Sequence, residues 1–239
     1  MAAEAPFTKQ YLAAIKACRV DTSIGFVDLS GVLNHELSPE LLLNVAKEHH
    51  ASFGAPLTPT SADGAVIDNK ALQLKPDVVF TAPASGNALA ALYGAACGAN
   101  VLLCKTGIPK SWIGAIDVVK AEVPSRTMSG VERTLVVKRS ALAGKKVIIV
   151  DDVLGHGTTA KGLLEMCRDA GATVLRFVAY VEKVGERGRD LLKASFPEVP
   201  VEAIATVNVF APPDVSTESD GESCGDTPTR DEVAAKKAE

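Results

Sequence analysis

A chain of 239 residues that is 47% hydrophobic and 23% charged can bury a sizeable core, which excludes a fibrous or mainly disordered protein. Aromatic residues make up only 5%, so the core must rest on Val, Leu, Ile and Ala, a composition that suits parallel strands buried between helices. The net charge of −4 gives no footing to a protein that coats nucleic acid.

In chain order, Phe7, Tyr11, Ile15 and Cys18 recur at helical spacing and predict a short amphipathic helix. A second helix opens at Ser38, an N-cap type, with Pro39 in its first turn, Leu41, Leu42 and Val45 behind, and His49 and His50 at its end. Residues 53–70 are loop-rich and read as an insertion. From Val78 to Cys104 no residue is charged over 27 positions, long enough to span a bilayer. Pro83, Ser85, Gly86, Asn87, Gly94, Gly98 and Asn100 punctuate it, however. It divides into a strand (78–82), a Gly-containing turn, an Ala-rich helix (88–97) and a second strand (101–104), a unit buried in a sheet. Residues 106–130 are rich in turn and polar types and suggest a flap. Strands follow at 134–137, 147–150, 174–180 and 201–209, with helices at 158–170 and 187–194. Strands alternating with helices predict an α/β fold with a mostly parallel sheet.

The charge is unevenly spread. Residues 211–239 carry eight acids against three bases, so the −4 total leaves the first 210 residues at +1. With hardly any large apolar side chain, that tail cannot offset the entropy of ordering and is expected to be disordered. One folded domain over residues 1–210 remains. The five cysteines form neither a CxxC pair nor a metal-ligand spacing with histidine. Cys18, Cys97, Cys104 and Cys167 lie among apolar or helical neighbours and read as small buried hydrophobes. A reducing compartment is expected, and MAAEAPFTKQ shows no secretory pattern, so the expected location is cytoplasmic, away from membranes.

The sharpest chemical feature is Lys146-Val-Ile-Ile-Val-Asp151-Asp152-Val-Leu-Gly155-His156-Gly157-Thr158-Thr159-Ala160. An apolar strand ends in two acids, and a short Gly/Thr loop then enters a helix. Ligands of open α/β sheets sit at the carboxyl ends of strands, where this pair must lie. The loop brings free N–H groups of a helix N-terminus beside two hydroxyls, a phosphate-binding geometry. Two acids beside such a cradle suit a hydroxyl-rich or cationic ligand, and a sugar phosphate with its metal ion meets both demands. No GxxxxGK[ST] loop accompanies the acids, which argues against a nucleotide triphosphatase. A phospho-acceptor receiver would need a later strand Asp, and Asp190 falls in a helix. A structural turn capped by acids is the plain alternative.

The segment from Val147 to Ala160 resembles the 5-phosphoribosyl-1-diphosphate (PRPP) signature of type I phosphoribosyltransferases. Leu33-Asn34-His35-Glu36, Ala84-Ser85-Gly86, Lys105, and Glu182-Lys183 leading to Gly188-Arg189-Asp190 are similar, in order, to xanthine-specific members. The resemblance covers about residues 20 to 195 and is weakest over residues 53–68 and the flap. Pro83 stands where many relatives place Glu, and no flap residue can be carried over.

The resemblance implies a small hood of N- and C-terminal segments over the sheet and transfer of ribose 5-phosphate from PRPP to a 6-oxopurine. Catalytic work would fall to Asp151 and Asp152. PRPP would be held by Ser85, Gly86, Lys105, Asp151, Asp152, Gly155, His156, Gly157, Thr158 and Thr159, with Mg²⁺ bound mainly through its diphosphate. His156, though in the loop, is expected to point to solvent. Asn34 and Lys183 would read the base, xanthine first and guanine or hypoxanthine next, in a homodimer. Adenine or another base, or a non-catalytic PRPP-sensing regulator, are the alternatives. No helix-turn-helix segment supports the regulator.

Overall fold

A computed structural model describes residues 5–52, 75–112, 117–124, 132–210 and 215–216. The insertion at 53–70, the middle of the flap and nearly all of the tail lie outside the described residues. Chain order begins with α1 (Pro6–Lys16), the short strands β1 (Val20–Asp21) and β2 (Phe26–Val27), a π-helical turn (Ser30–Asn34) and α2 (Pro39–Ser52). There follow β3 (Val78–Thr81), α3 (Gly86–Cys97), β4 (Asn100–Leu103), β5 (Lys105–Thr106), β6 (Val118–Pro124), β7 (Glu132–Lys138) and α4 (Arg139–Leu142). The chain then runs through β8 (Lys146–Leu154), α5 (Thr158–Ala170), β9 (Thr173–Lys183), α6 (Gly188–Ser195), β10 (Val201–Val207) and β11 (Val215–Ser216).

The central sheet has the order β11-β10-β9-β8-β3-β4, parallel except for β11. Its two faces carry two apolar layers, as the alternation of side chains along a strand requires. In β8, Val147 and Ile149 enter one layer with Leu163, Leu164 and Cys167 of α5. Ile148 and Val150 enter the other with Tyr11 of α1, Leu42 and Val45 of α2, and Leu89 and Tyr93 of α3. The Tyr11 hydroxyl, fully buried, donates to the Tyr180 carbonyl at 3.1 Å and so fixes α1 on β9. The α/β architecture expected from the alternation is the one observed.

Three expectations change. The strand expected at 147–150 continues to Leu154, so Asp151 and Asp152 lie within β8 rather than after it. The flap contains regular structure: β6 pairs antiparallel with β7, which also takes β5, in a separate three-stranded sheet. Val119, Ala121 and Val123 alternate inward along β6 and pack on α5. A Cβ at Gly162 of α5 would lie 2.8 Å from Val123 Cγ1, so glycine is what admits the strand this closely. Cys104 and Cys167 are buried, as expected, but Cys18 and Cys97 are only half-buried. Among the described residues no helix is long and apolar enough to cross a membrane.

Candidate active site

The chain crosses to β4 after β3 and returns to β8 on the other side of β3, with α3 and α5 on opposite faces of the sheet. β3 and β8 therefore flank a topological switch point, where a crevice opens at the carboxyl ends of the strands. Their register, Val78 with Val147 and Phe80 with Ile149, brings the segment after β3 beside the end of β8. Ser85 and Gly86 thus come next to the acid pair. A Cβ at Gly86 would collide with Thr81 Oγ1 and lie 3.3 Å from Asp151 Oδ1, so only glycine lets the α3 N-terminus approach the carboxylate. The Pro83–Ala84 peptide bond just before it is cis. Lys105 is exposed at the start of β5, one residue after Cys104, whose N–H donates to the Thr81 carbonyl at 3.0 Å.

Each acid accepts from the backbone that follows it: Asp151 Oδ1 from Asp152 N–H at 3.0 Å, and Asp152 Oδ1 from Val153 N–H at 2.9 Å. Burial, and then the Asp152 carboxylate beside it, push the Asp151 carboxyl well above the ordinary carboxylate range; Arg133 opposes the shift. Arg133 was not expected at the site. It lies on β7 opposite Val123 and on the same face as Leu135, and its Nε is buried without a hydrogen-bond partner.

Gly155, His156 and Gly157 link β8 to α5, whose first residues are Thr158 and Thr159. Gly157 takes φ +78°, a left-handed conformation that turns the chain directly into the helix. The first N–H groups of α5, which have no partners within the helix, lie at this loop and form an anion-seeking end. Gly188 packs backbone to backbone against the loop: a Cβ there would overlap the Gly155 carbonyl oxygen and lie 2.8 Å from the Gly157 nitrogen. His156 is half exposed, as expected of a solvent-facing side chain, yet it is not loose. Its Nδ1 lies 3.2 Å from the Glu186 carbonyl and its Nε2 3.6 Å from Glu186 Oε2.

At the end of β9, Glu182 and Lys183 do different things. Glu182 is buried and takes both oxygens to Arg189, with Nε at 3.0 Å from each, while Arg189 also donates to the Val201 carbonyl. This pair joins β9, α6 and β10. Lys183 points elsewhere: its Nζ donates to the Gly25 carbonyl at 3.4 Å and pairs with Glu186 Oε1 at 3.3 Å. Gly25 lies between β1 and β2, so the N-terminal hairpin covers the lysine. Phe210, just beyond β10, completes that corner; its ring lies against Gly25 and against Gly185, where any side chain would collide with it. N-terminal and C-terminal segments thus meet here as the expected hood. Asn34 ends the π-helical turn, exposed, and makes no hydrogen bond to Lys183, Glu186 or Gly25. Neither Glu186 nor Phe210 was expected: Glu186 stands three residues after Lys183, but the turn that brings it back is not visible in the sequence, and Phe210 comes from a distant segment.

Comparison with known proteins fits this geometry. Residues 66–211 match the model of the phosphoribosyl transferase domain. A xanthine phosphoribosyltransferase of Deinococcus deserti is 30% identical over 183 residues, 77% of this chain and 83% of the relative. One from Streptococcus agalactiae is 35% identical over 132 residues, 55% of this chain and 66% of the relative. Among solved structures, adenine phosphoribosyltransferase from Rhodothermus marinus superposes with a TM-score of 0.57 at 21% identity, covering 83% of this chain and 99% of that one. That last likeness speaks for the fold alone. With the domain match spanning more than half of its length, and an acid pair and glycine loop set at the switch point of the sheet, the chain belongs to the type I phosphoribosyltransferase family of glycosyltransferases.

Proposed function

We propose that the protein is a purine phosphoribosyltransferase that moves ribose 5-phosphate from PRPP to N9 of a 6-oxopurine, xanthine by preference, releasing diphosphate. The observation that carries the base preference is the placement of Lys183. An ammonium only donates, so it suits a base edge carrying carbonyl oxygens and offers nothing to the acceptor nitrogens and amino group of adenine in the same pose. The Phe210 ring packs at the same corner against Gly25 and Gly185, and in this reading it would offer an apolar face to a planar base. Asn34, which both donates and accepts, would read the remaining edge. The names of the two relatives, both xanthine phosphoribosyltransferases, support the same choice.

In this reading, the loop from Gly155 to Thr159, His156 included, seats the 5′-phosphate on the N-terminus of α5. Asp151 and Asp152 take the ribose hydroxyls. Ser85 and Gly86 offer backbone N–H groups to the diphosphate at the N-terminus of α3, and Lys105 adds positive charge. The ribose gains oxocarbenium character as the diphosphate leaves. The protein then has two electrostatic tasks, to favour a cationic ring beside carboxylates and an anion beside N–H groups and cations. Among the described residues no group of three or more His, Cys, Asp or Glu side chains could hold a metal ion. Mg²⁺, held mainly through the diphosphate of PRPP, would offset the charge building on the leaving group. Homodimeric assembly and a cytoplasmic location belong to the same proposal.

The test is product analysis after incubation with PRPP, Mg²⁺ and each of xanthine, guanine, hypoxanthine and adenine. Nucleoside monophosphate and diphosphate formed in equal amounts from the oxopurines support the proposal. PRPP binding without turnover of any base would instead indicate a sensor of the same fold.

A further inference from the structure

Glu186 connects two parts of the site that the reaction uses separately. Its side chain is only 7% exposed, so its carboxylate must be met by cationic or donor groups. One oxygen, Oε1, lies 3.3 Å from Lys183 Nζ; the other, Oε2, lies 3.6 Å from His156 Nε2. The local backbone aims it this way: the Glu186 N–H bonds the Lys183 carbonyl at 3.1 Å, a tight turn that folds the carboxylate back over the lysine. The Glu186 carbonyl lies 3.2 Å from His156 Nδ1, so the imidazole rests along the whole residue. Two residues later Gly188 presses on Gly155 and Gly157. The segment from Lys183 to Gly188 is therefore packed directly on the Gly155–Thr159 loop, and Glu186 is a side chain that touches both.

We propose that Glu186 is a positioning residue that transmits occupancy of the phosphate loop to the base-reading ammonium. The inference rests on the reading of Lys183 as base reader and of the Gly155–Thr159 loop as phosphate seat. A phosphate seated in the loop fixes His156, whose imidazolium form, a donor at both nitrogens, holds one Glu186 oxygen, and the other oxygen aims Lys183. Binding of PRPP and of base is then linked through this carboxylate, and linkage of this kind is reciprocal. The Gly25 carbonyl still accepts from Lys183 when the carboxylate is neutralised, so Glu186→Gln loosens the aim rather than releasing the lysine.

Steady-state kinetics of Glu186→Gln, His156→Ala, their combination and Lys183→Met test this, with whichever base the wild type turns over best. Glu186→Gln is expected to raise the base KM about tenfold, the loss of one charge-assisted hydrogen bond, with a smaller change in kcat. His156→Ala is expected to raise the base KM as well, although it belongs to the phosphate loop. The double variant should be no worse for base than Glu186→Gln alone, because both act through one connection. Independent, multiplying effects, or a base KM unmoved by Glu186→Gln, overturn the proposal. Should Glu186→Gln fold poorly, His156→Ala decides alone, since its side chain is half exposed: a change confined to PRPP KM refutes the link. If Lys183→Met leaves the base KM unchanged, the base-reader assignment itself fails. If Lys183→Met raises it and Glu186→Gln does not, only the coupling fails.

Discussion

Gly188 and Gly155 meet backbone to backbone, with no room for a methyl group between the start of α6 and the phosphate loop. The neighbour is main chain and cannot swing aside as a side-chain end would. Gly188→Ala must therefore push the loop off its seat, at a cost of about 2 kcal/mol typical of overpacking. The expected signature is a raised PRPP KM together with a Tm lowered by about 6 °C. Titration of PRPP and a thermal melt measure both, and an unaltered PRPP KM would show that the loop does not set phosphate affinity.

The Glu182–Arg189 pair predicts a different phenotype. Both side chains are largely buried, 8% and 18% exposed, so removing one charge strands the other. Glu182→Gln should destabilise by about 3 kcal/mol, read as a shift in the urea midpoint, while any protein still folded keeps its order of preference among bases. An altered base order would place Glu182 in recognition rather than in the joint between β9, α6 and β10.

Asp152→Asn leaves an oxygen to accept the Val153 N–H and preserves shape, so the Tm should move by less than about 2 °C. The variant loses the negative charge that, in the proposed reaction, faces the ribose hydroxyls and a developing cation. A fall in kcat/KM of about 30-fold or more follows from the loss of one charged hydrogen bond worth about 2 kcal/mol. Unchanged kinetics would refute the assignment of this acid to the site.

Asp151 carries the opposite trade. Its carboxyl titrates well above the ordinary range because it is buried, and then because Asp152 is beside it. A group that holds its proton more tightly folded than unfolded adds stability at low pH, and that stability is lost as pH rises toward the folded value. Near neutral pH the wild type therefore carries a strain that Asp151→Asn relieves. The variant should melt about 3 °C higher than wild type near neutral pH while turning over PRPP poorly, and the gap should close below about pH 4. Thermal melts across that range check the sign; a variant less stable than wild type at neutral pH would contradict it.

Much of the architecture was legible from the chain because periodicity and punctuation agreed. The helix expected at 158–170 is α5 to the residue, bounded by Gly157 and Gly171, both left-handed. The reach of β8 past Val150 was not legible, since two adjacent acids look like a strand end and not like pairs for Ala179 and its neighbours on β9. β6 was missed although Val119, Ala121 and Val123 do alternate, because turn residues on both sides masked a seven-residue strand whose partner is another hairpin arm. The acid pair and the Gly155–Thr159 loop were visible because their residues are contiguous. Arg133 and Phe210 were not, because each reaches the site across the fold from an element that carries no chemical signature. Glu186 lies only three residues after Lys183, but nothing in the sequence shows that the turn folds its carboxylate back onto that lysine and onto His156.

The proposed choice of base turns on Lys183 preferring carbonyl oxygens, and the decisive measurement is the ratio of kcat/KM for xanthine to that for adenine with PRPP saturating. The prediction is a ratio above about 100, which is what one mismatched hydrogen-bonding edge costs at about 3 kcal/mol. Adenine as the better substrate would contradict the base assignment, whatever the fold resembles.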